Sequence, residues 1–98
     1  MIKEKIINTL VSKYDRNEVE IVFNHPHFHQ RENIRNLDID KVIESIRKGK
    51  IDYKKSRYPN TVFFNKYYGK ENTTYIVCVI IYRNFWEAKT AWKKSGRI

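Results

Sequence analysis

The stretch TTYIVCVIIY, residues Thr73 to Tyr82, is the strongest strand signal in the chain. β-Branched residues dominate it, and apolar residues occupy both its odd and its even positions. Because successive residues of a strand point to opposite faces, such a run is apolar on both faces, as in a strand at the centre of a sheet. The sequence therefore predicts a sheet with this segment near its middle.

Further strands are predicted on both sides of this segment. KIDYKKS (50–56) and NTVFFNKYY (60–68) precede it, separated by a turn at Arg57-Tyr58-Pro59-Asn60, and a polar turn at Gly69 to Asn72 leads into it. After it, Arg83-Asn84 turns the chain into FWEAKTAWKK (85–94), which can pair back as a hairpin. EVEIVF (18–23), which alternates before it becomes apolar, predicts one more strand nearer the N-terminus.

Three helices are predicted in the first half of the chain. An amphipathic helix is predicted over residues 3–15, because apolar residues recur there at helical spacing: Ile2, Ile6, Ile7, Leu10, Val11 and Tyr14. Asn24 as cap and Pro26 in the first turn predict a short helix over residues 25–35. The third helix is predicted to begin after the cap Asp38 and to end at Gly49. Its apolar residues are Ile39, Val42, Ile43 and Ile46.

This order of elements indicates the α+β class, with N-terminal helices packed on one side of a four- to five-stranded antiparallel sheet. A chain of 98 residues, 41% of them hydrophobic, is long enough for one small domain and not for two. We expect one domain over residues 1–98, in which residues 1–16 add a helix to a core at residues 18–94.

The charge is concentrated in the second half. Residues 1–45 hold 7 Lys or Arg and 8 Asp or Glu, a balance of −1, whereas residues 46–98 hold 13 and 3, a balance of +10, so the net charge of +9 comes from the second half. This asymmetry favours a polyanionic partner, most commonly nucleic acid, although a solvated basic surface is the simpler explanation. The start, MIKEKIINTL, has no signal-peptide core and the longest apolar run is too short to span a bilayer, which predicts a cytosolic protein without a membrane partner.

The stretch HPHFHQRENIRN (25–36) contains all three histidines. On a helix, His27, Arg31 and Arg35 form one row at i, i+4 and i+8, whereas His29 lies on the opposite side. His25 and His29 are spaced for a shared metal, but no further ligands complete a zinc site nearby, so no metal is predicted.

The spacing His27-x3-Arg31-x3-Arg35-Asn36-Leu37, followed by Asp38 and IDKVIESIRKGK, resembles the helical signature of a prokaryotic domain family of unknown function. That family is similar to the RelE/ParE, BrnT and colicin-type toxin ribonucleases of the barnase/EndoU/colicin/RelE fold. KTAW (89–92) resembles the end of the last strand in such domains. The resemblance implies a RelE-like fold and a metal-independent endoribonuclease, without a cofactor, that leaves a 2′,3′-cyclic phosphate.

The resemblance and the charge pattern suggest the following site. His27, Arg31, Arg35 and Thr90 surround the scissile phosphate, with His27 as base and Lys89 or Tyr82 as second proton carrier. The predicted nucleic-acid contacts are Lys54, Lys55, Arg57, Lys66, Arg83, Lys89, Trp92 and Lys93. Of six nearby aromatic residues, about two are expected at a binding surface because strand faces alternate; the six are Tyr53, Tyr58, Tyr67, Tyr68, Trp86 and Trp92.

Partners and alternatives follow from the same pattern. The expected substrate is RNA, either tRNA or mRNA, and an acidic antitoxin is the expected protein partner. Two other functions fit the sequence: a non-catalytic nucleic-acid-binding module, and a protein-interaction domain of the same fold.

Overall fold

The α+β class is confirmed by the computed structural model, which describes residues 2–26, 28 and 36–98. Helix α1 (Ile2–Ser12) and the short strand β1 (Ile21–Val22) come first, followed by helix α2 (Ile39–Lys48). Four strands complete the chain: β2 (Lys50–Arg57), β3 (Thr61–Tyr68), β4 (Thr73–Ile81) and β5 (Trp86–Ser95). Most of the helix predicted over residues 25–35 lies outside the described residues.

The five strands form one sheet in the order β1-β5-β4-β3-β2, so β4 is the middle strand, as TTYIVCVIIY predicted. Its residues are buried on both faces: Val77 and Val79 are fully buried, and Ile76 and Cys78 are 1% and 2% exposed. All neighbouring strands are antiparallel except β1, which pairs parallel to β5 through Ile21 opposite Trp86 and Val22 opposite Glu87. The sheet is therefore mostly, and not entirely, antiparallel.

The first strand is much shorter than the predicted 18–23. The Asp15 carboxylate accepts a hydrogen bond from the Asn17 amide at 2.9 Å, and the Asp15 carbonyl accepts from the amides of Glu18 and Val19. These bonds hold residues 16–19 in a turn, because a local side-chain acceptor competes with strand pairing. Beyond the turn, Ile21 and Val22 pair with β5, and the Glu20 carbonyl accepts from the Trp86 amide at 2.8 Å.

Helix α2 has the predicted ends, and one unpredicted side chain secures it. The Asp38 carboxylate accepts from the amides of Asp40 and Lys41 at the N-terminus. At the C-terminus the Arg16 guanidinium donates to the carbonyls of Ile46 and Gly49 at 2.6 and 2.9 Å. Burial of this guanidinium lowers the pKa of Arg16. Arg16 thereby satisfies carbonyls that a helix end leaves without partners.

The core lies between the helices and one face of the sheet. Ile7 and Val11 of α1 and Val42 and Ile46 of α2 are buried in it. The sheet contributes Val62, Phe64, Val77, Val79, Trp86, Ala88 and Ala91, and we call this side of the sheet the helix face. Among the described residues, no helix is long and apolar enough to cross a membrane.

Candidate nucleic-acid interface

The second face of the sheet is identified by strand register. Val77 is paired with Phe64 and Ala91, which all belong to the core, whereas the next residue, Cys78, is paired with Phe63 and Thr90. Residues directly opposite each other on neighbouring strands share a face, so the second row points away from the helices. We call this side the open face; register places on it Lys50, Asp52, Arg57, Thr61, Phe63, Asn65, Tyr67, Thr74, Ile76, Cys78, Ile80, Glu87, Thr90, Trp92 and Lys94.

A β-bulge decides which residues of β5 reach the open face. Cys78 pairs with Thr90 and Val79 pairs with Ala88, which leaves Lys89 as an extra residue between them. An extra residue reverses the alternation of side chains along the rest of the strand. Trp86, before the bulge, is therefore buried on the helix face, while Trp92, after it, lies on the open face.

Aromatic rings form the centre of the open face. The Phe63 and Trp92 rings meet edge to face with centroids 6.2 Å apart. The Lys55 ammonium nitrogen lies 5.4 Å from the Trp92 ring centroid, and the Arg97 guanidinium carbon lies 4.3 Å from that of Tyr67. Ile76 and Cys78 are buried although both described helices pack on the other face. Among the described residues, the side chains positioned to cover them are those of the open face itself, since long basic side chains can lay their stems over apolar surface.

Cations outnumber carboxylates on this surface. Six basic residues lie on the open face or reach it: Lys50, Lys55, Arg57, Lys89, Lys94 and Arg97. Asp52 and Glu87 are the acidic residues that register places there. Within the described part of the chain, none of the six cations forms an ion pair with a carboxylate. The result is a surface of net positive charge whose cations remain available for an anion.

The thiol of Cys78 reports this environment. Burial raises the pKa of Cys78 to about 11, and the charges of Lys89 and Arg57 act in the opposite direction. Burial dominates because a thiolate is poorly solvated under the side chains of the open face. The thiol is thus a neutral buried group, and two of the predicted nucleic-acid contacts, Arg57 and Lys89, lie close to it.

The structure brings together several of the predicted site residues. Lys55, Arg57, Lys89 and Trp92 share the open face with Thr90. Lys54 and Lys55 line a shallow groove along the β2 edge together with Lys50, Asn65 and Lys94. Thr90 is 8% exposed, and its hydroxyl has no hydrogen-bond partner among the described residues. Five of the eight predicted contacts therefore share the open face with the predicted catalytic threonine or line this groove.

Three predicted contacts lie elsewhere. Lys66 and Lys93 flank Tyr75 on the helix face. The Lys93 ammonium group donates to the Asn36 carbonyl at 2.8 Å, and that of Lys66 lies 4.9 Å from the Tyr68 ring centroid. Arg83 lies in the turn between β4 and β5, where its carbonyl accepts from the Tyr14 hydroxyl. Their role as nucleic-acid contacts stays a prediction, and they are separate from the open-face group.

The helical part of the predicted site falls outside the described residues. His27, Arg31 and Arg35 all lie there, as does His29 of the alternative metal pair. The described neighbours are anchored: Phe28 is 3% exposed in the core, its ring 5.1 Å from that of Phe23, and Asn36 is bonded to Lys93 on β5. No group of three potential metal ligands occurs within residues 2–26, 28 and 36–98.

The sequence prediction missed three cations of the open face: Lys50, Lys94 and Arg97. The two-residue period held the necessary signal, because Lys50 alternates with the core residue Ile51 and Lys94 lies two residues beyond Trp92. Of the six aromatic residues, Tyr67 and Trp92 are on the open face. Trp86 is fully buried, and Tyr53 and Tyr68 pack against the core.

Comparisons of the chain with protein-family models, with curated proteins and with solved structures found no match.

Proposed function

We propose that this chain binds tRNA or mRNA on the open face of its sheet and cleaves it without a metal or a cofactor. The observation that carries the proposal is the make-up of that face, which combines an aromatic centre with six cations and two carboxylates. Proteins that bind unpaired nucleic acid combine the same two features, since rings stack on bases and cations pair with phosphates. RNA in the cytosol is the polyanion that fits the charge asymmetry.

Binding uses groups that already lie side by side. A base that stacks on Trp92 takes the place of the Lys55 ammonium group over the ring, and Lys55 then pairs with the adjoining phosphate. Arg57 and Lys89 supply further charge near Cys78, which is paired with Thr90. Because counterions leave the RNA when phosphates are neutralised, the affinity falls steeply with salt.

Cleavage is the finer part of the proposal and rests on the resemblance of the His27, Arg31 and Arg35 row to toxin ribonucleases. His27 removes the proton of the 2′-hydroxyl, whose oxygen attacks the phosphorus while the bond to the 5′-oxygen breaks. Arg31 and Arg35 stabilise the charge that develops on the phosphoryl oxygens, and the Thr90 hydroxyl donates to one of them. A second proton carrier protonates the leaving oxygen. The products are a 2′,3′-cyclic phosphate and a 5′-hydroxyl end.

The binding step is tested with matched lysine variants in an anisotropy titration of a fluorescent single-stranded RNA. Lys89→Ala, on the open face, should weaken binding about three- to tenfold and reduce the slope of log affinity against log salt by about one. Lys70→Ala, in the exposed turn between β3 and β4, should stay within about twofold of the unaltered chain. Equal losses in the two variants would contradict binding on the open face.

The cleavage step is tested by incubating tRNA and total RNA with the protein in EDTA, beside His27→Ala and Arg31→Ala. Cleavage that leaves a cyclic phosphate and disappears in both variants supports the ribonuclease. Tight binding without cleavage refutes it and favours the second candidate, a non-catalytic nucleic-acid-binding module, which the open face supports equally. Cleavage that requires added zinc or magnesium contradicts the metal-independent mechanism.

The acidic antitoxin stays a prediction, and its test is co-purification with the product of the neighbouring reading frame.

A further inference from the structure

Helix α1 carries an exposed apolar row beside its buried side, next to the β2–β3 turn. Six large hydrophobic residues are exposed in the described part of the chain, and three of them meet here: Ile2 at 80%, Ile6 at 37% and Tyr58 at 72%. Ile2, Ile6 and Leu10 follow each other at intervals of four, so they form one row along the helix. The concentration of three such residues in one place is what distinguishes a docking surface from scattered exposure.

The β2–β3 turn converts this row into a pair of grooves. One groove is bounded by Ile2, Ile6, Leu10 and Pro59, and the other by Ile2, Ile6, Ile7 and Tyr58. The Thr9 hydroxyl at the first groove donates to the Lys5 carbonyl of its own helix at 2.8 Å. The Thr9 hydroxyl is thus already bonded within its own helix, and the floor of the groove is apolar. We call the two together the α1 groove.

The cations around the α1 groove define the charge of its occupant. Lys3, Lys5 and Lys13 line it, and no carboxylate of the described residues does. Lys3 donates to the Lys54 carbonyl, whereas Lys5 and Lys13 form no ion pair among the described residues. A second copy of this chain is a poor occupant because each copy carries a net charge of +9 and would bring lysines against lysines.

We infer that the α1 groove binds an acidic amphipathic helix of another protein. An apolar row at intervals of four on that helix fits against Ile2, Ile6 and Leu10, which span eight residues or about 12 Å. Glutamates or aspartates beside the row pair with Lys5 and Lys13, which are also eight residues apart. The inference does not depend on RNA binding, because the groove and the open face use different residues.

The test is an anisotropy titration of the full chain with synthetic peptides on the order of 18 residues, long enough to form a helix. One peptide carries leucines at intervals of four with glutamates on both sides, and its control carries lysines in place of the glutamates. The acidic peptide should bind saturably and the basic one should not. Ile6→Glu should weaken binding about tenfold or more, since it places a charge in the apolar row.

Matched variants distinguish peptide binding in the α1 groove from non-specific hydrophobic binding. Ile39, on α2, is 43% exposed, so Ile39→Glu introduces the same change at a similar exposure outside the groove. It should leave the peptide affinity within about twofold, while Lys13→Glu should weaken the acidic peptide and strengthen the basic one. Equal effects of Ile6→Glu and Ile39→Glu, or no saturable binding of the acidic peptide, would overturn the inference. Self-association that Ile6→Glu abolishes would overturn it as well, by showing that a second copy fills the groove.

Discussion

The two faces of one sheet are buried in different ways. On the helix face, Val62, Phe64 and Val77 are covered by helices and their exposure is zero. On the open face, Ile76 and Cys78 are almost as buried, yet neither described helix packs over them, and basic side chains such as Lys55 lie on the same face. A helical cover is part of the folded core, whereas a cover of flexible lysine and arginine side chains can move aside for an anion. The first face serves stability and the second is free to serve binding.

The largest difference between the two faces is expected for two adjacent phenylalanines of β3. Phe64 is fully buried on the helix face, with its ring stacked 5.8 Å from that of Trp86 and under the Arg16 guanidinium. Phe64→Ala should lower the free energy of unfolding by about 3–5 kcal/mol. Phe63→Ala, on the open face, should cost clearly less stability and weaken RNA binding instead. Urea unfolding measures both, and equal losses of stability would mean that the two faces are one core.

A second test measures how firmly the open face is covered. Because burial raises the pKa of Cys78 to about 11 from 9.0, the thiolate fraction near pH 8 falls about a hundredfold. Alkylation by iodoacetamide should therefore be at least about a hundredfold slower than in the urea-unfolded chain. The single cysteine makes the rate unambiguous. Labelling as fast as in urea would show that the cover of the open face does not persist in solution.

A third test concerns the support behind the helix face. Arg16→Ala leaves the Ile46 and Gly49 carbonyls without a donor and removes the contact with Phe64. We expect a loss of about 1–3 kcal/mol in the free energy of unfolding. Arg83→Ala, at an exposed arginine of the β4–β5 turn, is the control and should change it by less than about 0.5 kcal/mol. If both variants lose the same amount, Arg16 is not a specific cap of α2.

Local signals in the sequence predicted the elements that depend on local chemistry. The Asp38 cap and the apolar period of Val42 and Ile46 placed α2, and the apolar run placed β4 at the centre. Gly49 ends α2 as predicted, and the structure shows why a glycine is needed there. Its backbone is extended, and a Cβ there would approach the Ser45 carbonyl oxygen too closely and lie 2.6 Å from that of Asn65. Gly49 is required by this close approach and not by a left-handed conformation.

The division of residues between the two faces could not be read from the sequence. Trp86 and Trp92 are six residues apart and would share a face in a regular strand, but the bulge at Lys89 places them on opposite faces. In β2, the five steps from Asp52 to Arg57 lie opposite only two steps of β3, from Phe63 to Thr61. Such irregularities depend on pairing with distant strands. The sequence therefore predicted that basic and aromatic residues form the site, but not which of them lie on the same face.

The opposite placement of the two tryptophans also provides the most direct measurement of the central claim, that RNA binds the open face. The chain has two tryptophans, so labelling with 5-fluorotryptophan yields two ¹⁹F resonances, which a Trp92→Phe variant assigns. On titration with single-stranded RNA, we predict that the Trp92 resonance shifts to saturation while that of the fully buried Trp86 changes little. A shift of Trp86 alone, or no shift of Trp92 when the RNA is fully bound, would contradict binding on the open face.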